Sequence, residues 1–538
     1  MESTLPYRQS SFESADDYIT SLAAFTSTDF FRQLVGGVHI LDFFTSSPSL
    51  YESILPLDWR EYFDTKSIDE ILEVLLRVDL LKSRPDGVPD SLYEFARDVQ
   101  RHELCREFIG EPGSEATPEG KRLLNRQRRL AIGMSDKKLH EVEHFARYLS
   151  TLLRTVASDP LRAESPITHL VDFGSGQSYL SRILASPPHN LDLVAVESKA
   201  SNIEAGKALD ARVGLGGNSG TKASKNSPIF LGESAEHKKG TITYVHHMIK
   251  DESMQEVLNA LDQPDGQAGN MASKDPGLMI ISLHSCGNLI HHALNALLSN
   301  GEVNAIAVVG CCYNLMTERT GPTYKPPYQR YTPAMPEPIQ ASCLNHHFPL
   351  SARLSSQNIT LNITARMMAC QAPRNWTAST SANFFKRHFY RSLLQRILYD
   401  NSILSATEPL IVGSLRKIAY TSFWEYFNAA IKKILDASTG SDAESKVAEG
   451  VQRRIRDRGL DAISREQVAL YEEQYGGGLK QLSVVWTLMA FCAGCVESLI
   501  VADRWCYIVE SGKCRVVKVE NAFEYSVSPR NLVIVGIK

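Results

Sequence analysis

Two acidic residues and a glycine turn give the clearest chemical signal in the sequence. An apolar run ends in Asp172 and Phe173, and a Gly-x-Gly turn at Gly174 and Gly176 follows at once. Glycines at such a turn let the backbone approach a ligand closely. A second apolar run ends in Glu197, whose carboxylate suits the two hydroxyls of a ribose. An acid stands where dinucleotide-binding domains usually have an apolar residue, so the pattern favours S-adenosylmethionine as cofactor over a dinucleotide. The predicted cofactor-binding residues are Asp172, Gly174, Ser175, Gly176 and Glu197.

Reactive side chains follow two later apolar runs, and strand ends of an open α/β sheet face the ligand crevice. The predicted catalytic residues are His284 as a general base, Cys286 as a nucleophile and Tyr313 as a contact of the methyl acceptor. The predicted substrate-binding residues are Asn288, Cys311, Cys312, Lys137 and Lys138. The alternative is that the strand-end residues pack beneath the cofactor, and that Lys137 and Lys138 belong to a solvated helix face.

Alternating strands and helices must position these residues. Short β-rich runs, each followed by a helical stretch or a loop, predict a parallel sheet with crossover helices. These runs are Thr168–Phe173, Leu193–Val196, Thr241–Val245, Leu278–Leu283 and Ala305–Val309. Helical periodicity dominates before residue 160 and from 376 to 500. A hairpin of Trp505–Glu510 with Val516–Val519, and a buried strand at Asn531–Ile537, are predicted at the end of the chain.

The predicted fold is α/β, a Rossmann-like sheet that resembles class I methyltransferase sheets in its antiparallel last strand. We expect a helical N-terminal region at 1–160 and a cofactor-binding core at 161–375. A helical insertion follows at 376–502. C-terminal strands at 503–538 then complete the core sheet. Two stretches rich in Gly, Ser, Asn and Lys, 214–228 and 262–277, are predicted to be surface loops.

The composition is that of a globular protein with several structural units, at 538 residues, 43% hydrophobic and 22% charged. The 57 basic and 61 acidic residues give a net charge of −4, which excludes binding to nucleic acid by bulk charge alone. The basic strip at 121–138 is either an RNA-facing surface or a solvated helix face. The N-terminus lacks a secretory pattern, and the apolar run at 482–496 is short for a bilayer span. We expect an intracellular protein, in the cytoplasm or nucleus, with no membrane partner.

Metal chemistry is not expected from the cysteine spacing. The ten cysteines include Cys492-x-x-Cys495, but no second Cys-x-x-Cys completes a four-ligand zinc site. Cys492 and Cys495 lie in an apolar helical run, which favours buried thiols over a redox pair. One competing pattern is His140-Glu141-Val142-Glu143-His144, the H-E-x-x-H signature of zinc peptidases, with Glu164 as a third ligand. Its alternative is an amphipathic helix that leads into the cofactor domain.

Several separate motifs, in the same order, resemble the methyltransferase-like protein 25 family, some of whose relatives are named for a ribosomal RNA adenine dimethylase domain. They span about residues 130 to 538 and are Gly133–Val142, Val171–Gly176, Leu283–Gly287, Gly310–Tyr313, Phe348–Ser351, Ala369–Ala372 and Ser528–Asn531. The resemblance implies a class I, S-adenosylmethionine-dependent methyltransferase. An Asp is common in this family where this chain has Asn288, and an amide cannot act as a carboxylate base.

The expected function is that of an S-adenosylmethionine-dependent methyltransferase, EC 2.1.1 class, acting on a macromolecule. The sequence does not decide whether this acceptor is RNA or protein. Adenine N-methylation is disfavoured because His284–Gly287 stands where such enzymes carry an Asn/Asp-Pro-Pro-Tyr loop, and the cysteine contexts do not suit cytosine C5 methylation. The alternatives are a binding protein with a degenerate methyltransferase fold and, more remotely, a zinc peptidase.

Overall fold

The structure is a computed structural model that describes residues 2–108, 130–159, 166–215, 240–262, 277–319, 346–404, 412–437 and 443–538. Within these residues, eight strands form one sheet in the order β1-β7-β8-β6-β5-β2-β3-β4. The strands are β1 (Glu2–Thr4), β2 (Ile167–Phe173), β3 (Leu193–Glu197), β4 (Ile242–His246), β5 (Gly277–Ser285), β6 (Val303–Gly310), β7 (Val516–Asn521) and β8 (Leu532–Ile537).

Helices cover both faces of this sheet. The described α-helices are α1 (Ala15–Thr26), α2 (Asp29–Arg32), α3 (Leu50–Ile54), α4 (Leu57–Thr65), α5 (Ile68–Leu76), α6 (Asp90–His102), α7 (Asp136–Ala157), α8 (Tyr179–Ala185), α9 (Ala200–Val213), α10 (Gln255–Asp262), α11 (Leu289–Ser299), α12 (Ala352–Ser356), α13 (Ile363–Ala369), α14 (Ala378–Asp400), α15 (Phe423–Leu435), α16 (Ala443–Asp457), α17 (Arg465–Tyr475), α18 (Gly478–Phe491) and α19 (Ala493–Ser511).

The strand directions confirm the predicted sheet. Strands β4, β3, β2, β5 and β6 are all parallel to one another, as crossover helices require. Strand β8 then enters antiparallel between β6 and β7. Each of the five parallel strands lies within two residues of its predicted bounds. The short strand β1, parallel to β7 at the sheet edge, was not predicted.

Alternate residues of the central strands enter two separate cores. In β5, Leu278 and Ile280 belong to the core that includes α11 and the helices of the N-terminal region, while Met279 and Ile281 belong to the core on the opposite face, which includes α7 and α8. A parallel strand covered on both faces is apolar at every position, which explains the continuous hydrophobic runs in the sequence.

The most apolar helices lie inside the protein. The helical run Gly478–Ser511 is 34 residues long and apolar enough to cross a membrane by length and composition, yet 94% of its most apolar stretch is buried. Its residues share one core with the N-terminal helices and the sheet. Both Cys492 and Cys495 are fully buried there, in agreement with the prediction of buried thiols.

One predicted strand is wrong. Trp505–Glu510 is the last part of helix α19, so the predicted hairpin does not form, and β7 pairs with β8 instead. Aromatic and β-branched residues favour strands, but a helix buried on all sides loses the 3.6-residue period that would reveal it. Helical structure therefore continues beyond the predicted boundary at residue 502. Most of the two predicted loops, at 214–228 and 262–277, lies outside the described residues.

A buried ion pair holds the segments beside the glycine turn together. Arg182 in α8 is 1% exposed and its Nε donates to Asp210 Oδ1 of α9 at 2.7 Å. The same guanidinium donates to the carbonyl oxygens of Gln177 and Gly206 at 2.9 and 3.2 Å. The Tyr244 hydroxyl of β4 donates to Asp210 Oδ2. One carboxylate thus fixes two helices and an edge strand.

Replacing Asp210 by Asn should destabilise the fold strongly. The change leaves the Arg182 charge buried without its partner, which costs about 3–5 kcal/mol in comparable cases. Urea unfolding followed by circular dichroism measures the loss. Asp90→Asn is the matched control, because Asp90 and its partner Arg84 are largely exposed and their pair should contribute little. Equal effects of the two substitutions would contradict this role of the buried pair.

Candidate functional site

The glycine turn after β2 leaves open space at the carboxyl edge of the sheet. Gly174 and Gly176 have φ angles of 69° and 58°, which side chains rarely adopt. A Cβ atom at Gly174 would lie 2.9 Å from Cδ2 of Leu289, whereas one at Gly176 would meet nothing within 4 Å. The amide N–H groups of Gly174 and Ser175 donate to the carbonyl oxygen of Val196 in β3, each at 3.0 Å. The turn is therefore fixed, with room for a ligand above Gly176.

Asp172 lies at the end of β2, directly before this turn. It is 3% exposed, and the Ser181 hydroxyl donates to its Oδ2 at 2.7 Å. Burial raises the pKa of Asp172 to about 6, against the lowering effects of the Ser181 hydrogen bond and the nearby Lys138 charge. The pKa of Asp172 therefore lies close to neutral pH, and its carboxyl group stands directly before the turn that leaves the open space.

Glu197, the last residue of β3, connects the turn to the neighbouring strand. Its Oε2 accepts from the Gly176 amide and its Oε1 from the Lys199 amide, both at 2.9 Å. It is 7% exposed. Oε1 also accepts from the Ser198 hydroxyl at 3.4 Å, so Oε2 is the oxygen that keeps a second lone pair for a ligand hydroxyl.

His284, at the end of β5, pairs with the buried carboxylate of Glu141, which is the acid of the H-E-x-x-H pattern. Its Nε2 lies 3.2 Å from Oε2 of Glu141, a residue of α7 that is 2% exposed. The Ser528 hydroxyl donates to Glu141 Oε1 at 2.6 Å. Burial acts to raise the pKa of Glu141, but hydrogen bonds from His284 and Ser528 hold it below its ordinary value. An ionised Glu141 fixes the hydrogen of His284 on Nε2 and leaves Nδ1 free to accept a proton.

This pairing contradicts the zinc peptidase hypothesis. Glu141 binds His284, while His140 Nε2 accepts from the Glu524 amide at 3.3 Å. His144 Nδ1 hydrogen-bonds the carbonyl oxygen of His140 at 2.8 Å. Glu164, the suggested third ligand, lies outside the described residues. Among the described residues, His140, Glu141 and His144 are not part of a group of three or more metal-ligand atoms. The H-E-x-x-H pattern lies in helix α7, where Glu141 binds His284.

Three cysteines meet where β5 and β6 end. Ser285 pairs with Gly310 in the sheet, so the residues that follow them are neighbours. Cys286 Sγ lies 3.3 Å from Cys311 Sγ, which lies 3.5 Å from Cys312 Sγ. Hydrogen bonding to Cys311 lowers the pKa of Cys286 to about 6, while the same bond and burial raise the pKa of Cys311. Cys286 is therefore the cysteine of the cluster with the lowered pKa, while the pKa values of Cys311 and Cys312 are raised.

Two further predicted residues lie beside this cluster. Asn288 is the N-cap residue of helix α11, but its side chain binds Thr317 and not the helix. Its Nδ2 donates to the Thr317 hydroxyl at 2.6 Å, and its Oδ1 accepts from the Thr317 amide at 3.0 Å. Lys138 acts electrostatically on Glu141, Asp172 and Cys311, whereas Lys137 is 55% exposed and lies 3.8 Å from Glu141.

The predicted acceptor contact of Tyr313 is wrong in this structure. Its side chain is 2% exposed, and its hydroxyl donates to Glu497 Oε1 at 2.8 Å. Arg106 and Arg530 also bind Glu497, at 2.6 and 2.7 Å. This buried network borders a cavity of about 260 Å³ that Arg8, Arg106 and Arg374 line. Tyr313 therefore joins β6 to helix α19 in the interior.

Comparison with known proteins identifies the domain that contains this crevice. Residues 137–319 match a family model described as a methyltransferase domain. The chain contains a methyltransferase domain. It is 27% identical over 291 residues to a protein of Mus musculus and 26% identical over 260 residues to one of Homo sapiens, each named "Probable methyltransferase-like protein 25". No solved structure matches the chain.

The extent of the match is smaller than the motifs suggested. It covers 54% and 48% of this chain, and 42% and 37% of the two relatives, so the chain spans less than half of their length. The predicted resemblance to this family is confirmed over about half of the chain. The methyltransferase domain, as matched, includes α7 with Glu141, the glycine turn and all three clustered cysteines.

Cys286 should be the most reactive thiol of the methyltransferase domain. In reduced protein with a chelator present, its alkylation by iodoacetamide should rise through about pH 6, because the thiolate is the nucleophile. Peptide mass spectrometry at several pH values measures the rate. Cys311→Ala removes the hydrogen bond and should move the midpoint toward higher pH. Cys105, whose pKa burial raises, is the internal control, and alkylation of both thiols with one pH profile would contradict the assignment.

Proposed function

We propose that the methyltransferase domain binds S-adenosylmethionine beside β2 and β3 and transfers its methyl group to an acceptor beside β5 and β6. One observation supports the cofactor most directly. Two buried carboxylates, Asp172 and Glu197, end adjacent parallel strands, and the turn between them leaves open space above Gly176. Ligands of open α/β sheets bind outside the carboxyl ends of the strands, where the strand order reverses, and β2 lies at that point.

The donor and acceptor groups fit this cofactor. Asp172 is an anion at working pH above 6 and suits the ammonium group of the methionine moiety. Oε2 of Glu197 retains acceptor capacity for a ribose hydroxyl. The bound cofactor would supply an electrophilic methyl group on a sulfonium sulfur.

His284 is the proposed proton acceptor. The ionised Glu141 holds the ring in one tautomer, and 36% of the His284 side chain is exposed, so an acceptor group can reach it. The chain must align the acceptor and remove its proton where the acceptor carries one.

A macromolecular acceptor, RNA or protein, remains our proposal, as does an intracellular site in the cytoplasm or nucleus. No disulfide joins the nine cysteines in the described part of the chain, which supports the proposal of a reducing compartment. The second candidate function is a binding protein that holds the cofactor without turnover.

Replacing Asp172 by Asn should weaken S-adenosylmethionine binding. Hydrogen bonds to charged groups contribute about 1.5–3 kcal/mol, so the dissociation constant should rise about 10- to 100-fold. Titration calorimetry measures it, with NAD as the control ligand. Below about pH 6 the wild-type carboxyl takes up a proton and becomes neutral. Wild-type affinity should therefore fall by up to about tenfold per pH unit there, and the variant should lack this dependence.

The matched control is Asp192→Asn at the amino end of β3, where Asp192 binds Thr241 away from the crevice. It should bind the cofactor as the wild type does. Unchanged affinity in a folded Asp172→Asn protein, or binding of NAD in place of S-adenosylmethionine, would overturn the proposed cofactor site.

Replacing His284 by Gln should separate binding from turnover. General bases contribute typically about 10²- to 10⁴-fold, so methyl transfer should fall by at least about 100-fold while cofactor affinity stays unchanged. Transfer of labelled methyl groups is measured into cellular RNA and protein fractions separately. His169→Gln in β2, before the strand reaches the crevice, is the control. Cofactor binding without transfer into either fraction by the wild type would favour the binding protein over the enzyme.

A further inference from the structure

The cysteine cluster has the composition and geometry of a metal site. Among the described residues, Cys286, Cys311 and Cys312 are the one group of His, Cys, Asp or Glu ligand atoms that all lie within 4.8 Å of one another. Zinc bonds thiolate sulfur at about 2.3 Å, which places tetrahedral ligand sulfurs about 3.8 Å apart. The distances from Cys311 Sγ to Cys286 Sγ and to Cys312 Sγ, 3.3 and 3.5 Å, differ from that value by about half an ångström or less.

The backbone holds the three sulfurs together before any metal binds. The Gly287 amide donates to the Cys312 carbonyl oxygen at 3.2 Å and joins the two loops. Gly287 has a φ of 56°, and a Cβ atom there would lie 2.7 Å from the Leu315 carbonyl oxygen. Only glycine fits at this position, so the local sequence Cys286-Gly287 maintains the approach of the loop after β5 to Cys311-Cys312.

Buried polar groups without partners lie next to two of these cysteines. Ser285 Oγ, directly before Cys286, is buried and has no hydrogen-bond partner within the described part of the chain. Arg504 is 1% exposed, and its Nη1 likewise has no partner there. A Cβ atom on Gly310, the residue before Cys311, would lie 2.7 Å from that Nη1. Donors in such positions are what metal-bound thiolates need around them.

We propose that Cys286, Cys311 and Cys312 bind a zinc ion through three thiolates, with the fourth coordination position open to solvent. Cys286 is exposed, which gives the ion a path to the site. Binding releases the remaining thiol protons to solvent and leaves three thiolates and Zn²⁺ with a net charge of −1. The positive charges of Lys138 and Arg504 both act on Cys311 and offset this charge.

A fourth cysteine nearby is not a ligand in this arrangement. Cys370 Sγ interacts with the Arg366 carbonyl oxygen at 3.6 Å and with Asn314 Oδ1 at 3.5 Å. It does not belong to the group of three sulfur atoms that lie within 4.8 Å of one another. Three protein ligands and one open position are typical of catalytic zinc sites, whereas structural sites are closed by a fourth ligand. The open position lies at the same sheet edge as the proposed acceptor site, where a thiol or another soft donor can coordinate.

The experiment uses the full chain, purified in reducing buffer without chelator. Elemental analysis should find about one zinc per chain, and Cys286→Ser, Cys311→Ser and Cys312→Ser should each lose most of it. Cys370→Ser is the matched control and should keep it. Circular dichroism verifies that each variant is folded. A wild type that contains no zinc and binds none after reduction and reloading would overturn the proposal, as would serine variants that keep the metal.

Cobalt substitution tests the coordination itself. Metal-free protein titrated with Co²⁺ should develop thiolate-to-metal charge-transfer bands with an intensity for three Co–S bonds. Added 2-mercaptoethanol should increase them as it fills the open position. Four Co–S bonds in the absence of added thiol, or loss of zinc from Cys370→Ser, would contradict the open position. The zinc proposal is tested independently of the proposed cofactor, because zinc content and S-adenosylmethionine affinity are separate measurements.

Discussion

The register of the central parallel strands is the constraint on which the crevice depends. Asp172 of β2 pairs with Ala195 on one side and with Ile281 on the other, and Ser285 of β5 pairs with Gly310 of β6. Because side chains alternate between faces, a slip of one residue would turn every catalytic candidate to the opposite side of the sheet. Because both faces of these strands are apolar, an alternation of polar and apolar residues does not set their register, which depends instead on the close packing of side chains in the two cores.

Buried charges then attach the helical parts to this sheet. Glu497 of α19 binds Arg106 from the N-terminal region, Arg530 from the loop before β8, and Tyr313 after β6. Asp503, also in α19, accepts hydrogen bonds from the amides of Leu350 and Ser351. Removing one partner from such a network leaves another charge buried and unpaired, which makes the arrangement specific even where its net stability is modest.

The strands, and the position of Asp172 and Glu197 at the ends of adjacent strands, could be predicted from the sequence because both are local signals. An apolar run that ends in an acid and a glycine turn is visible in ten residues. The link between Glu141, His284 and Ser528 was missed because the three residues lie far apart in sequence and meet only when α7 and the C-terminal loop fold over the sheet. The motif at Ser528–Asn531 carried the resemblance, but its buried hydrogen bonds could not be read from spacing. The same reason explains why spacing did not reveal the Cys286–Cys311–Cys312 cluster, since Cys286 and Cys311 are 25 residues apart in the sequence.

Lys138 connects the acidic and thiol halves of the crevice. Burial lowers the pKa of this lysine, while Glu141, Asp172 and Cys311 each act to raise it. Glu141 belongs to α7, Asp172 to β2 and Cys311 to the loop after β6, so the Lys138 ammonium group interacts with three separate elements of the crevice. An ammonium beside Asp172 also competes with any cationic ligand for that carboxylate. Lys138 therefore limits how tightly the acidic half can hold a cation, and its charge instead favours anionic sulfur on the thiol half.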